Sequence, residues 1–209
     1  MQKANSFKAT IVSVAVPLAV LVALMWIVGM VNALLDYRLS EYGVVPRTVD
    51  GLIGIPLMPF LHGSFDHLVV NTLPMVVLGG LVAIHGSRKF LTATVFITLV
   101  GGGALWVVGR TAVHVGASGL IFGFFGYLIA RAWYTRSLVA VLIAVVVAVV
   151  YGGILLGVLP FFQEGVSWEG HLTGLIAGAL AARLMWKEDQ PEESEQGMSE
   201  QASGPDGFR

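Results

Sequence analysis

Three short stretches hold the side chains able to do chemistry: "VGASGLIFGFFG" around Ser118, "WEGHLTGLIAG" around His171, and "LHGSFDHLVVN" with His62, His67 and Asn71. A serine hydroxyl becomes a nucleophile when an adjacent base such as an imidazole takes its proton. Ser118 and His171 are therefore a candidate pair wherever a fold brings them within hydrogen-bond reach. His67 and Asn71 stand four apart, which puts both on one face of a helix, and His62 precedes them. An amide and an imidazole N–H on one face can donate to developing negative charge. The other readings of this cluster are polar packing between helices and, far behind it, metal ligands. The chain has no HExxH, no cysteine and no carboxylate cluster beside these histidines, which weighs against metal.

The elements that must position these residues are membrane helices. The chain of 209 residues is 56% hydrophobic and 12% charged, with 26 glycines, about half the charge of a soluble domain. Six apolar segments, near 9–31, 67–84, 91–109, 117–132, 137–158 and 171–186, approach the length of a bilayer crossing. The expected fold is all-α and polytopic, with a six-helix membrane domain over 1–187. The tail over 188–209 carries seven of the thirteen acidic residues among Ser, Gln, Pro and Gly, a composition expected to remain disordered in the cytoplasm. With a cytoplasmic N-terminus, Lys3, Lys8, Arg88, Lys89, Arg131, Arg136, Arg183 and Lys187 lie inside, and only Arg38, Arg47 and Arg110 outside. That bias sets the expected orientation, with both termini cytoplasmic. Residues 32–61 form a long external connection, too apolar for a free linker and punctuated by Pro46, Pro56 and Pro59. It reads as interfacial or membrane-embedded.

Two of the segments look too short. From Ser118 to Ala130, where Arg131 is expected to stop it, the fourth spans about 20 Å against a hydrocarbon core of about 30 Å. From His171 to Trp186 the sixth spans about 22 Å. Both would start below the outer surface, at a similar depth. Irregular backbone at membrane depth is tolerated only where it lines a cavity, so a water-accessible pocket opening outward is expected around Ser118 and His171. Gly119 and Gly123 are spaced by four, and Gly170, Gly174 and Gly178 form a GxxxGxxxG ridge. Such ridges let helices approach closely, here bringing Ser118 toward His171, although most of them only pack helices. His85 and His114 read as solvated or interfacial loop residues, and Asp66 as water-facing or a helix cap. Glu164 and Glu169 read as exposed loop acids, and Trp26, Trp106, Trp133, Trp168 and Trp186 as interfacial anchors.

Gly116-Ala117-Ser118-Gly119, His171-x-x-Gly174-x-x-x-Gly178 and His62-x4-His67-x3-Asn71, in this order and at this topology, resemble the rhomboid intramembrane serine proteases over residues 46–186, in the minimal six-helix prokaryotic form. The resemblance implies the rhomboid bundle, in the inner (plasma) membrane, with the active site opening to the external or periplasmic side. The implied activity is hydrolysis of peptide bonds in or near transmembrane segments of other proteins. Ser118 would be the nucleophile and His171 the base, as a dyad. His67, Asn71 and the Ser118 backbone N–H would form the oxyanion hole. His62 would hold the pocket-side loops, and Phe122 would lie against the His171 ring. The implied partners are transmembrane substrates and the lipid bilayer, not nucleic acid, and no cofactor or metal is expected. Many members carry Trp-Arg in the loop before the second helix, and "GLIGIPLMPFLHG" has neither. The alternative is a catalytically inactive rhomboid-fold protein that binds membrane clients.

Overall fold

The computed structural model describes residues 2–160 and 165–186, so the acidic tail and Glu164 lie outside the described residues. Helices run over Gln2–Leu34 (α1), Phe65–Ala83 (α2), Ser87–Val108 (α3), Ser118–Thr135 (α4), Leu138–Val158 (α5) and Trp168–Met185 (α6). Among the described residues the β-structure is a single antiparallel bridge between Val44 and His114. Helices α2, α3 and α5, and α1 over Ala15–Leu34, are each long and apolar enough to cross a membrane. This is the all-α architecture of a multi-pass membrane protein.

Each helix shows why it sits where it does. Ser64 caps α2 by accepting from the His67 N–H. Helix α2 then buries Leu68, Asn71, Met75, Leu78 and Val82, at the alternating three- and four-residue spacing of one helical face. Its other face exposes Val69, Val70, Leu73 and Val76, apolar residues whose natural solvent is lipid. Helix α5 has a mean hydropathy of 3.0 and buries only Ala140 and Val147 before tightening into a 3-10 segment over Gly152–Val158. Helix α3 passes through a π-helical stretch, Ile97–Gly101, where it crosses α6: a methyl on Gly101 would sit 3.3 Å from the Gly174 Cα.

Helix α4 occupies the centre, packed on α6 most extensively and also on α2 and α5. The α4–α6 contact is built from glycine. A methyl on Gly174 would run into the Gly119 carbonyl oxygen, one on Gly178 into the Gly123 carbonyl oxygen, and one on Gly126 into that of Leu175. Below the site, Phe90 and Phe124 pack with ring centroids 5.7 Å apart, among Leu78, Val82 and Ile97.

Two expectations about these helices are corrected. Arg131 does not stop α4, which continues to Thr135 and so spans about 27 Å. An arginine stem lies along apolar surface while its head reaches out, so it need not end a membrane helix. Helix α6 starts at Trp168 rather than at His171, because Ser167 caps it by accepting from the Gly170 N–H. His171 stands one turn inside the helix.

The connection between α1 and α2 is not a free linker. It folds as short turns over Arg38–Tyr42, Asp50–Leu52, Gly54–Leu57 and Met58–Phe60. Asn32, fully buried, donates to the His62 carbonyl and to Ser40 Oγ, and its Oδ1 accepts from the Leu39 N–H. Without a Trp-Arg pair of its own, the loop is tied to the end of α3: Arg47 donates to the Val107 and Gly109 carbonyls, and Trp106 donates to the Thr48 carbonyl. Trp26 is a packed residue rather than an end anchor, donating to Thr72 Oγ1 at 3.1 Å with its ring edge-on to Phe65.

Candidate active site

The start of α2, the start of α4 and the first turn of α6 meet the end of α5 around a cavity of about 900 Å³. Its lining includes His67, Asn71, Ser118, Phe122, Gly157 and His171. Ser118 is the first residue of α4, where backbone N–H groups have no intrahelical acceptor. The chain reaches it through Gly116 at φ 115°, a left-handed conformation that favours glycine. Space is tight as well, since a methyl there would lie 2.7 Å from the His67 ring and would push that ring aside.

The His171 Nε2 lies 2.9 Å from Ser118 Oγ, and its Nδ1 lies 2.9 Å from the Gly157 carbonyl oxygen. A carbonyl only accepts, so Nδ1 carries the hydrogen and Nε2 keeps a lone pair facing the serine. The ring stacks on Phe122 at 4.1 Å with an interplanar angle of 10°. Three contacts therefore define the imidazole: a carbonyl behind it, an aromatic face beside it and a hydroxyl in front. Gly157 sits close against the ring, since a methyl there would come 2.9 Å from His171 Nδ1 and 3.1 Å from Phe122 Cζ and would displace them.

Asn71 is 5% exposed and spends one amide hydrogen on the His67 carbonyl at 2.7 Å, leaving the other for the cavity it lines. His67 presents its ring over Gly116. His62 sits behind it, with ring centroids 5.1 Å apart, nearly perpendicular. His62 is 1% exposed and its Nδ1 faces the Phe60 carbonyl. Burial, reinforced by His67 and partly offset by that carbonyl, lowers its pKa to about 4, so it is neutral. Gly119, Gly174 and Gly178, expected as supporting residues, form the α4–α6 seam just beneath.

Several residues given bland readings are part of this region. His114 is buried, 3% exposed, with Nδ1 2.6 Å from Ser167 Oγ and Nε2 3.0 Å from the Arg110 carbonyl. Glu169 is a buried helix residue, not an exposed loop acid, because Arg110 neutralises it at 2.8 Å. Asp66 is exposed in the first turn of α2, and the cap there is Ser64. Gly157 had no side-chain signal to reveal it, since what it contributes is a backbone oxygen. Ser167 was visible as Ser-x-x-Gly ahead of an apolar run, but its histidine partner lies 53 residues away.

Chemically, the arrangement can draw the proton from a serine hydroxyl inside a pocket that Asn71 and His67 also line. The sequence profile described as Rhomboid domain matches residues 50–188. An uncharacterized protein of Mycobacterium tuberculosis is 40% identical over 172 residues, covering 78% of this chain and 72% of that protein. A putative rhomboid protein of Acanthamoeba polyphaga mimivirus is 29% identical over 138 residues, 63% of this chain and 74% of the other. A putative rhomboid protease of Bacillus subtilis is 27% identical over 126 residues, 59% of this chain and 62% of the other. The matched profile spans the helices that build the cavity, and the chain belongs to the rhomboid family.

Proposed function

We propose that the chain is an intramembrane serine protease that cleaves peptide bonds in or near transmembrane segments of other membrane proteins. The observation carrying this reading is the 2.9 Å contact between Ser118 Oγ and His171 Nε2, with Nδ1 held by the Gly157 carbonyl. That carbonyl does for the ring what a buried carboxylate does in a triad: it selects the tautomer and the orientation. As Ser118 Oγ bonds to the substrate carbonyl carbon, its proton passes to His171 Nε2. The carbonyl oxygen becomes an oxyanion facing Asn71, His67 and the Ser118 N–H. His171 then returns the proton to the leaving amine as the C–N bond breaks, and water releases the acyl group by the same route. The imidazolium is stabilised by the Gly157 carbonyl and by the Phe122 face.

A substrate helix must partly unwind to present an extended bond, and unwinding in lipid exposes unsatisfied backbone groups. Segments with Gly, Pro or polar residues near the outer end of the helix suit this site best. The charge bias of the loops supports cytoplasmic termini and an outward-opening cavity.

Fluorophosphonate labelling of the purified protein tests the chemistry, because only an activated serine reacts. Labelling at Ser118, lost in Ser118→Ala, is the expected result. A folded chain that neither labels nor cleaves would replace the protease by a client-binding rhomboid. Orientation is read by an impermeant thiol reagent on intact cells: Val113→Cys should react from outside and Ser87→Cys should not.

A further inference from the structure

The seam between α4 and α6 has a weakness. Its glycines recur every four residues, at 119 and 123 on one helix and at 170, 174 and 178 on the other. Sliding α6 by one such step, about 6 Å, would put Gly170 where Gly174 packs and Gly174 where Gly178 packs. Backbone packing against small residues therefore discriminates poorly between the native register and one displaced by a turn. The separation of Ser118 and His171 tolerates no such slip.

The two loops that lead into these helices are joined by a polar bridge outside the dyad. Arg110 Nη1 lies 2.8 Å from Glu169 Oε2, the Arg110 backbone N–H donates to Glu169 Oε1 at 3.2 Å, and Nη2 donates to the Val166 carbonyl at 2.7 Å. His114 Nε2–H donates to the Arg110 carbonyl at 3.0 Å, so in the neutral ring Nδ1 is the acceptor. The Ser167 hydroxyl donates to that Nδ1 at 2.6 Å while its oxygen caps α6 through Gly170. His114 is itself pinned by its backbone bridge to Val44. The Glu169 side chain is 6% exposed. A buried carboxylate that slipped away from Arg110 would be left unpaired at high cost, which makes such a pair an effective register device.

We propose that Arg110 and Glu169, with His114 and Ser167, are positioning residues that set the register of α6 against α4 and thereby hold His171 at bonding distance from Ser118. The catalytic consequence rests on the protease reading; the register itself does not. Glu169 is two residues before His171 and so points to another side of the helix, acting through it rather than on substrate.

The test uses the full chain, which has no cysteine of its own. Cysteines at the exposed positions Trp133 and Leu184, near the far ends of α4 and α6, carry spin labels whose separation reports the register. In the parent the distance distribution should be single and narrow. Arg110→Met/Glu169→Leu removes the pair without stranding a charge, and should broaden the distribution or add a second population. Glu169→Gln keeps an acceptor for the Arg110 N–H and should restore most of the parent distribution. In unlabelled protein the double replacement should lower kcat on a transmembrane reporter about 10–100-fold, as expected for a misplaced reacting pair. Glu169→Gln should recover much of the loss. Should the double replacement misfold, Ser167→Ala with Glu169→Gln loosens both links and must broaden the distribution instead. An unchanged distribution in folded Arg110→Met/Glu169→Leu, or in folded Ser167→Ala/Glu169→Gln, overturns the proposal. A distribution that responds as expected in a chain that never labels or cleaves overturns the protease reading and leaves the register assignment standing.

Discussion

Helices α4 and α5 are consecutive in the chain and opposite in character. Helix α5 is the most hydrophobic candidate span, with a mean hydropathy of 3.0, yet it buries only Ala140 and Val147. Helix α4 carries Ser118, Tyr127, Arg131 and three glycines, and buries every residue from Gly119 to Leu128. In water the ranking would be reversed. In a bilayer, lipid satisfies an apolar side chain as well as protein does, so hydrophobicity gives a helix no reason to move inward. What draws α4 and α6 together is close backbone approach through glycine and the satisfaction of polar groups that lipid cannot satisfy.

The comparison can be broken most directly at the site. Ser118→Ala and His171→Ala should each abolish cleavage of a transmembrane reporter while helical circular dichroism is unchanged, because nucleophile and base act as one unit. Appreciable turnover by purified Ser118→Ala would end the assignment. Asn71→Ala should lower turnover roughly 10–1000-fold without eliminating it, since other donors remain. Reporter binding should shift far less, and unchanged turnover would return Asn71 to a packing role.

The packing contrast predicts a smaller, structural effect. Gly178→Ala forces a methyl against the Gly123 carbonyl and should destabilise the protein by about 1–3 kcal/mol. Val149, 80% exposed on α5, should tolerate Val149→Leu within about 0.5 kcal/mol. Thermal unfolding in one detergent compares the two, and equal losses would refute the distinction between interior and lipid-facing helices.

The smallest expected effect is on acid stability. His62 is neutral when folded, with its pKa lowered to about 4 by burial, and its Nε2 has no hydrogen-bond partner. The unfolded chain binds a proton near the ordinary histidine value, so folding is favoured above that pH and stability is lost as pH falls toward 4. The melting temperature should decline over that window, less steeply in His62→Asn. Identical slopes would show that His62 does not carry this dependence.

Much of the architecture was legible in the chain. Apolar segments marked the membrane helices, because a bilayer demands long runs of one kind. The seam was legible as Gly119, Gly123, Gly174 and Gly178, and the Ser118–His171 pairing followed from those ridges. Helix ends were less so: Arg131 looked like a terminus and is an interior residue of α4, while α6 begins a turn before His171. Charge alone does not end a helix whose side chain can reach polar surroundings.

What sequence determined by itself is the set of side chains that chemistry needs and the helices that bear them, since residue type and spacing within a helix are local. Tertiary structure decided everything that joins distant segments. The Gly157 carbonyl behind His171, the Arg110–Glu169 pair and the His114–Ser167 bond link residues 14 to 59 positions apart. A backbone oxygen is the same atom at every position, and a charge shows no partner until folding supplies one. Those contacts turn a serine and a histidine into a site, and they exist only where α4, α5 and α6 converge.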